Sequence, residues 1–140
     1  TYSSLSQLKT TLDGRGVSIH ADYLGKGIVI DFPDHFFEAG QFNLSDEHKK
    51  SIDEIATILK PLADEIVVTV IGHTDAQPIV HLNKKIIDSN LVLSNLRSSK
   101  VVQHLVQSGF DPHYVTSQGV GEYARNTRSF SLRITERSKR

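Results

Sequence analysis

Residues 66–71, IVVTVI, are all β-branched, and such a run favours a buried strand. Gly72 would end this strand, and residues 73–75 would then lie at its C-terminal tip. Segments with helical spacing of apolar residues precede and follow the strand, at residues 45–62 and 94–108. A strand between two amphipathic helices predicts a fold in which helices pack on a sheet.

The two helical segments each have a predicted cap and one apolar face. Ser45 is a candidate N-cap for the first, and Ser94 for the second, which is expected to end at the C′ residue Gly109. His48 and its polar neighbours on the first helix are expected to face water. The apolar residues of the first helix recur at three and four, and they are Ile52, Ile55, Ala56, Leu59 and Leu62.

The remaining elements complete a two-layer arrangement. Leucines at 5, 8 and 12 predict a short leading helix, and residues 17–20 and 28–32 are predicted to pair as a hairpin or a bulged pair. Closing strands are predicted at 115–121 and 129–134. The βαβαββ order predicts an α+β two-layer sandwich, with helices packed on a mixed sheet and helix-linked strands parallel.

We expect two parts along the chain. Residues 1–27 are predicted to be a linker-like leading helix and strand, and residues 28–140 the domain proper. Phe37 and Leu44, in the irregular segment before the first long helix, are expected to be core residues. A length of 140 residues suits a single domain with a core that needs no staples.

Composition limits the classes of function. With 16 basic and 16 acidic residues, the formal net charge is zero, so there is no positive field to attract nucleic acid. The absence of cysteine excludes disulfides, thiol catalysis and cysteine-based zinc sites. No Gly-x-Ser-x-Gly elbow or metal-ligand spacing is present, so we expect no enzyme activity, catalytic residue, metal or cofactor.

Residues 72–97 place two opposite charges near a predicted strand tip and helix start. Asp75 follows the strand, and Arg97 would lie in the first turn of the second helix, where free N–H groups favour an anion. A guanidinium fork suits a carboxylate, so the pair fits a ligand with an ammonium and a carboxylate on one carbon. Taken singly, Asp75 could cap a turn and Arg97 could form a surface ion pair.

Two spaced motifs, GHTD at residues 72–75 and NLVLSNLR at residues 90–97, resemble those of OmpA-like peptidoglycan-binding domains. That family has Gly-His/Tyr-Thr-Asp followed by Asn-x-x-Leu-Ser-x-x-Arg, and the resemblance covers roughly residues 28–134. It implies that the aspartate and the arginine grip the free amino-acid end of meso-diaminopimelate in the stem peptide. The residues implied to bind the ligand are Asp75, Arg97, Asn90, Thr74, Leu93 and Ser94.

Further features concern the subfamily and the groove. The long insert, residues 76–89, resembles MotB-type members, whose loop is longer than in outer-membrane porin versions. This chain has Asn-Thr-Arg at 126–128 where relatives carry Asn-Arg-Arg, and Ser98 where they carry alanine. Both departures bear on the far wall of the groove and hence on affinity.

The resemblance implies non-covalent binding of peptidoglycan that anchors a membrane protein or envelope complex, as in a flagellar stator. The alternative is an interaction module of an envelope or secretion machine that keeps the fold and binds peptidoglycan weakly or not at all. Expected partners are peptidoglycan and a membrane-anchored protein or larger envelope complex, with a homodimer as a further candidate and no nucleic acid.

We expect a location in the periplasm of a Gram-negative bacterium, with a tether to the inner or outer membrane. The tether would lie outside this chain, which starts at Thr1, lacks methionine and has no apolar run of membrane length.

Two expectations concern single side chains. His73 is interpreted as a hydrogen-bonded structural histidine, in preference to a metal ligand acting with Asp75 and His81. If Asp75 and Arg97 lie at the edge of a cleft, alanine at either position should abolish wall binding and leave the fold nearly unchanged.

Overall fold

The computed structural model describes residues 8, 10–12, 16–21, 27–76 and 89–137. Residues 8 and 10–12 are helical, and Leu5, His81 and residues 77–88 of the insert lie outside the described residues. The later elements are β1 (Ser18–Ala21), β2 (Gly27–Asp31), α1 (Asp46–Leu59), β3 (Ile66–Gly72), α2 (Asn90–Gln107), β4 (Val115–Gly119) and β5 (Phe130–Glu136).

The strands form one mixed sheet in the order β1-β2-β5-β3-β4. Neighbours β3 and β4, which α2 connects, are parallel as predicted, and the other neighbours are antiparallel. The last strand, β5, lies between β2 and β3 and is antiparallel to both. The predicted α+β class with a mixed sheet is therefore confirmed.

Apolar side chains on one face of the sheet pack against the helices. In register, Ile28 of β2 lies beside Ile134 of β5, which lies beside Val68 of β3 and then Val115 of β4. The helices contribute the buried residues of their apolar faces to the same core. These are Ile52, Ile55, Ala56 and Leu59 of α1, Val101 and Leu105 of α2, and Leu8 and Leu12 of the leading helical residues.

The start of α1 is as predicted, but one of its residues is not. The Ser45 hydroxyl accepts from the His48 backbone N–H at 3.1 Å, and His48 Nδ1 accepts from the Ser45 backbone N–H. His48 is half-buried and does not fully face water as expected, because its ring stacks on Phe36 with centroids 4.3 Å apart. Phe37 is buried and Leu44 half-buried in the core, as expected.

The predicted start of α2 at Ser94 is wrong. The N-cap is Ser89, whose side chain accepts from the Val92 backbone N–H at 3.1 Å. Ser94 lies in the second turn and is buried. Its hydroxyl is satisfied there, since it donates to the Leu91 carbonyl and accepts from the Gly121 backbone N–H. The other end is as predicted, with Gly109 at φ 112° just beyond the helix.

Two paired glycines bring α2 against the sheet. Gly72 of β3 lies beside Gly119 of β4. A Cβ on Gly72 would lie 2.0 Å from the Ser94 carbonyl oxygen, and one on Gly119 would lie 2.5 Å from the Asn95 side chain. Only glycine permits this approach, so the turn after β3 lies directly beside the first half of α2.

Candidate ligand-binding site

The turn after β3 is tied to the segment before β5, which we call the closing loop (residues 120–129). The Thr74 backbone N–H donates to the Gly121 carbonyl at 2.9 Å, and the Thr74 carbonyl accepts from the Thr127 backbone N–H at 3.1 Å. The Ala76 N–H donates to the Asn126 side-chain oxygen at 2.9 Å. The closing loop therefore fixes the backbone on both sides of Asp75.

Asp75 is the residue of this turn that offers an accessible charge. Its side chain is 23% exposed, whereas His73 and Thr74 are buried. Asn90, the first residue of α2, donates from its side-chain amide to the Asp75 carbonyl at 3.3 Å. The predicted supporting position of Asn90 is thus a contact to the backbone of the site.

Arg128 of the closing loop is the guanidinium that pairs with Asp75. Its Nη1 lies 3.4 Å from Oδ2 of Asp75, and its side chain is 20% exposed. Its Nε donates to the Phe37 carbonyl at 3.1 Å, and its Nη2 lies 3.0 Å from Nδ1 of His35. His35 has a φ of 61°, which is uncommon for a residue with a side chain.

Arg97 does not lie at a cleft edge as expected, because its side chain is fully buried. It lies in the middle of α2, so the predicted first-turn position is wrong. Its three nitrogens donate to backbone carbonyls of Gln41 at 2.8 Å, His73 at 3.0 Å and Glu38 at 3.3 Å. Its guanidinium carbon also lies 5.0 Å from the centre of the Phe37 ring.

The charge of Arg97 nevertheless belongs to the site. Burial lowers the pKa of Arg97 to about 10, while the charge of nearby Asp75 raises it and that of Arg128 lowers it. Arg97 therefore stays protonated at neutral pH and places a fixed, buried positive charge near Asp75.

The other residues implied to bind a ligand are mostly buried. Leu93 is 3% exposed, Thr74 1% and Ser94 0%. Thr74 and Ser94 fix the turn and the closing loop through the bonds described above. The structure therefore brings together Asp75, Asn90, Arg97 and Arg128, whereas the side chain of Leu93 is buried.

His73 heads a buried polar network on the far side of the turn. Its Nε2 lies 3.0 Å from the Ser131 hydroxyl, which donates to Asp31 and accepts from Arg125. Burial, together with the charge of nearby Arg125 and against the opposing charge of Asp31, lowers the pKa of His73 to about 4. His73 is buried and hydrogen-bonded as interpreted, while His81 of the metal-ligand alternative lies outside the described residues.

The sequence model of the OmpA family matches residues 36–137. The chain belongs to the OmpA family. No curated protein matches it. Within the part of the OmpA-family domain that the structure describes, no helix combines the length and hydropathy needed to cross a bilayer.

Solved structures share the fold of this OmpA-family chain at low identity. A putative MotB-like protein from Desulfovibrio vulgaris is 17% identical, with 97% of this chain and 94% of that chain covered and a TM-score of 0.82. The periplasmic domain of Helicobacter pylori MotB is 20% identical, with 86% and 87% covered and a TM-score of 0.74. The cell wall anchor of the Pseudomonas aeruginosa T6SS is 20% identical, with 95% and 97% covered and a TM-score of 0.74.

Sequence reasoning missed Arg128 as the partner of Asp75. The strand pairing explains the contact between Asp75 and Arg128, because β3 and β5 are antiparallel neighbours with Gly72 opposite Phe130. Residues just after Gly72 must then lie beside residues just before Phe130. The predicted parallel pairing through helices gave no reason to place β5 next to β3.

Proposed function

We propose that this OmpA-family domain binds cell-wall peptidoglycan without covalent attachment, through the meso-diaminopimelate of the stem peptide. The observation that carries the proposal is a partly exposed carboxylate, Asp75, which pairs with the guanidinium of Arg128 and interacts with the buried charge of Arg97. A free amino-acid end presents an ammonium and a carboxylate together, so it complements a site that holds both signs of charge within a few ångströms.

Each residue of the site has a proposed role. The Asp75 carboxylate accepts hydrogen bonds from the ligand ammonium, which replaces the contact between Arg128 Nη1 and Asp75 Oδ2. Arg128 then binds the ligand carboxylate. Its remaining bonds, to the Phe37 carbonyl and to His35, keep its guanidinium near the surface. Arg97 attracts the carboxylate from within the protein and holds the turn through its bond to the His73 carbonyl.

Direct contact between Arg97 and a ligand needs a local rearrangement. The carbonyls of Glu38 and Gln41 occupy two of its nitrogens, so this short segment would have to move away. Asn90 supports the site by holding the Asp75 backbone, while Thr74, Leu93 and Ser94 set its shape from within the protein.

The proposed binding suits an anchoring role in the envelope. One structural neighbour is a cell wall anchor of a secretion system and another is a periplasmic domain of MotB. By analogy, this domain would act in the periplasm, hold a membrane-anchored protein or larger complex to the wall, and do so as part of a homodimer or a larger assembly.

A second candidate is an interaction module that keeps the fold and binds the wall weakly or not at all. It is favoured by one observation: Arg97 is fully buried and Asp75 already contacts Arg128. In that case the charged cluster serves to join the closing loop to α2.

Co-sedimentation with purified peptidoglycan tests the proposal. We expect the protein to sediment with diaminopimelate-containing wall, to be released by free meso-diaminopimelate, and to liberate no soluble fragments. The matched controls are Asp75→Ala and wall that carries lysine in place of diaminopimelate. Equal binding to both walls would contradict the proposed selectivity, absence of binding would favour the interaction module, and release of fragments would indicate an enzyme.

A further inference from the structure

Two tyrosines on the surface have different surroundings. The ring of Tyr114 is covered by Arg137, whose guanidinium carbon lies 3.4 Å from the ring centre, and Tyr114 is 36% exposed. Tyr123 in the closing loop is 86% exposed. An aromatic ring this open to water leaves its face available to a ligand.

Tyr123 is accompanied by a second exposed apolar residue, Leu91 in the first turn of α2, which is 52% exposed. Gly121 connects them, since a Cβ built on it would lie 3.6 Å from Cδ2 of Tyr123 and 3.7 Å from Cα of Leu91. We call Leu91 and Tyr123 the apolar ridge. It is formed by two separate segments of the chain at the point where α2 begins.

The apolar ridge adjoins the Asp75 site through bonded neighbours. The Gly121 carbonyl accepts from the backbone N–H of Thr74, the residue before Asp75. Asn90, the residue before Leu91, donates to the Asp75 carbonyl. A ligand that is bound at Asp75 and extends toward Gly121 would therefore contact the apolar ridge.

We propose that Leu91 and Tyr123 form a stacking platform for a pyranose ring of the peptidoglycan glycan strand. This inference rests on the proposed function. The C–H face of a pyranose is apolar and flat enough to cover an aromatic ring, and the tyrosine hydroxyl can bond to the sugar's rim. Two residues separate diaminopimelate from the sugar in a stem peptide, a span of roughly 10 Å, so one ligand can reach both places.

The test compares two soluble ligands by calorimetry: a disaccharide stem peptide that contains diaminopimelate, and the same peptide without sugar. We expect wild-type protein to bind the disaccharide form more tightly. Tyr123→Ala should weaken that binding about five- to tenfold and leave the affinity for the sugar-free peptide unchanged. Tyr114→Ala, which removes the covered tyrosine, should change neither affinity.

The outcomes separate this inference from the proposed function. Full affinity of a folded Tyr123→Ala protein for the disaccharide form would overturn the inference alone. An equal loss for both ligands would also overturn it, because the ring would then contact the peptide. Wild-type protein that binds neither ligand would overturn the proposed function and the platform with it. Thermal melts of each variant accompany the titrations, and Leu91→Asn, a second change on the ridge, should reproduce the selective loss.

Discussion

Arg97 and Arg128 both interact with the charge of Asp75 but have contrasting surroundings. Arg97 is fully buried and donates to three backbone carbonyls, from the turn after β3 and from residues 38–41. Arg128 is 20% exposed and pairs with the carboxylate of Asp75 itself. Two arginines near one acid therefore have different roles. Arg97 binds backbone carbonyls, and Arg128 pairs with the carboxylate of Asp75.

The two arginines differ in whether water or a ligand can replace their hydrogen-bond partners. Arg97 donates to three backbone carbonyls, of which the Glu38 carbonyl also accepts from the Gln41 backbone N–H, so the loss of Arg97 would deprive buried and part-buried acceptors of a donor. The partner of Arg128 is partly exposed, so water or a ligand can replace one of its bonds. We therefore expect changes at Arg97 to act mainly on stability and changes at Asp75 and Arg128 mainly on binding.

The largest effect is expected for Arg97→Ala. It removes a buried side chain and three hydrogen bonds, so the free energy of unfolding should fall by ~3–5 kcal/mol. The melting temperature should fall by about 10–20 °C. This reverses the expectation from sequence that the fold would be nearly unchanged. Urea titration and thermal melts of Arg97→Ala and Arg128→Ala measure the contrast, and equal small losses would show that the carbonyl contacts of Arg97 contribute little.

Asp75→Ala should have the largest effect on binding. The substitution removes the carboxylate that would receive the ligand ammonium, so we expect binding to weaken by ~2–3 kcal/mol, or about 30- to 150-fold. Asp75→Asn should be milder, because its amide oxygen still accepts a hydrogen bond. Titration with meso-diaminopimelate measures both. Unchanged affinity in a folded Asp75→Ala protein would place the binding site elsewhere.

The sequence was sufficient where local chemistry decides the structure. The β-branched run at residues 66–71, the Ser45 cap and Gly109 after α2 were all predicted, since each depends on near neighbours in the chain. The start of α2 was wrong because Ser89 and Ser94 can both cap a helix. Packing against Gly72 selects Ser89 and buries Ser94 in the contact between helix and sheet.

The site was predictable only in part. Asp75 follows a strand that the sequence marks clearly, so its location at a strand tip was predicted. The burial of Arg97 was not predicted. Two of the carbonyls that accept its hydrogen bonds belong to Glu38 and Gln41, more than fifty residues away in the chain. The partnership of Arg128 depends on the insertion of β5 beside β3, a pairing between distant segments that no local pattern encodes.

A third prediction concerns pH and the buried side of the site, where the His73 carbonyl accepts from Arg97. The pKa of His73 falls from 6.5 to about 4 on folding, so the unfolded chain binds more protons between these values. Its contribution to stability is fully present above pH 6.5 and is lost as pH falls toward 4. From pH 7.5 to 5 the loss should be ~2 kcal/mol.

His73→Gln provides the control for this pH dependence. Glutamine keeps an N–H group that can reach the Ser131 hydroxyl but does not titrate. The variant should therefore lose less stability than wild type over the same pH interval, as urea titrations at both values would measure. Identical pH dependence in the two proteins would show that His73 does not control acid stability.

The smallest effect on stability is expected for Arg128→Ala. Its pair with Asp75 is partly exposed, and its other contacts go to the Phe37 carbonyl and to exposed His35, so we expect a loss of ~1 kcal/mol. Binding of meso-diaminopimelate should weaken about fivefold, because the ligand carboxylate loses its nearest mobile cation. Arg128→Lys should recover part of this affinity, since it keeps the charge without the planar fork. The recovered affinity should fall as salt is raised, because an exposed charge is screened. Tighter binding by Arg128→Ala would mean that Arg128 only competes with the ligand for Asp75, and the carboxylate would then depend on Arg97 alone.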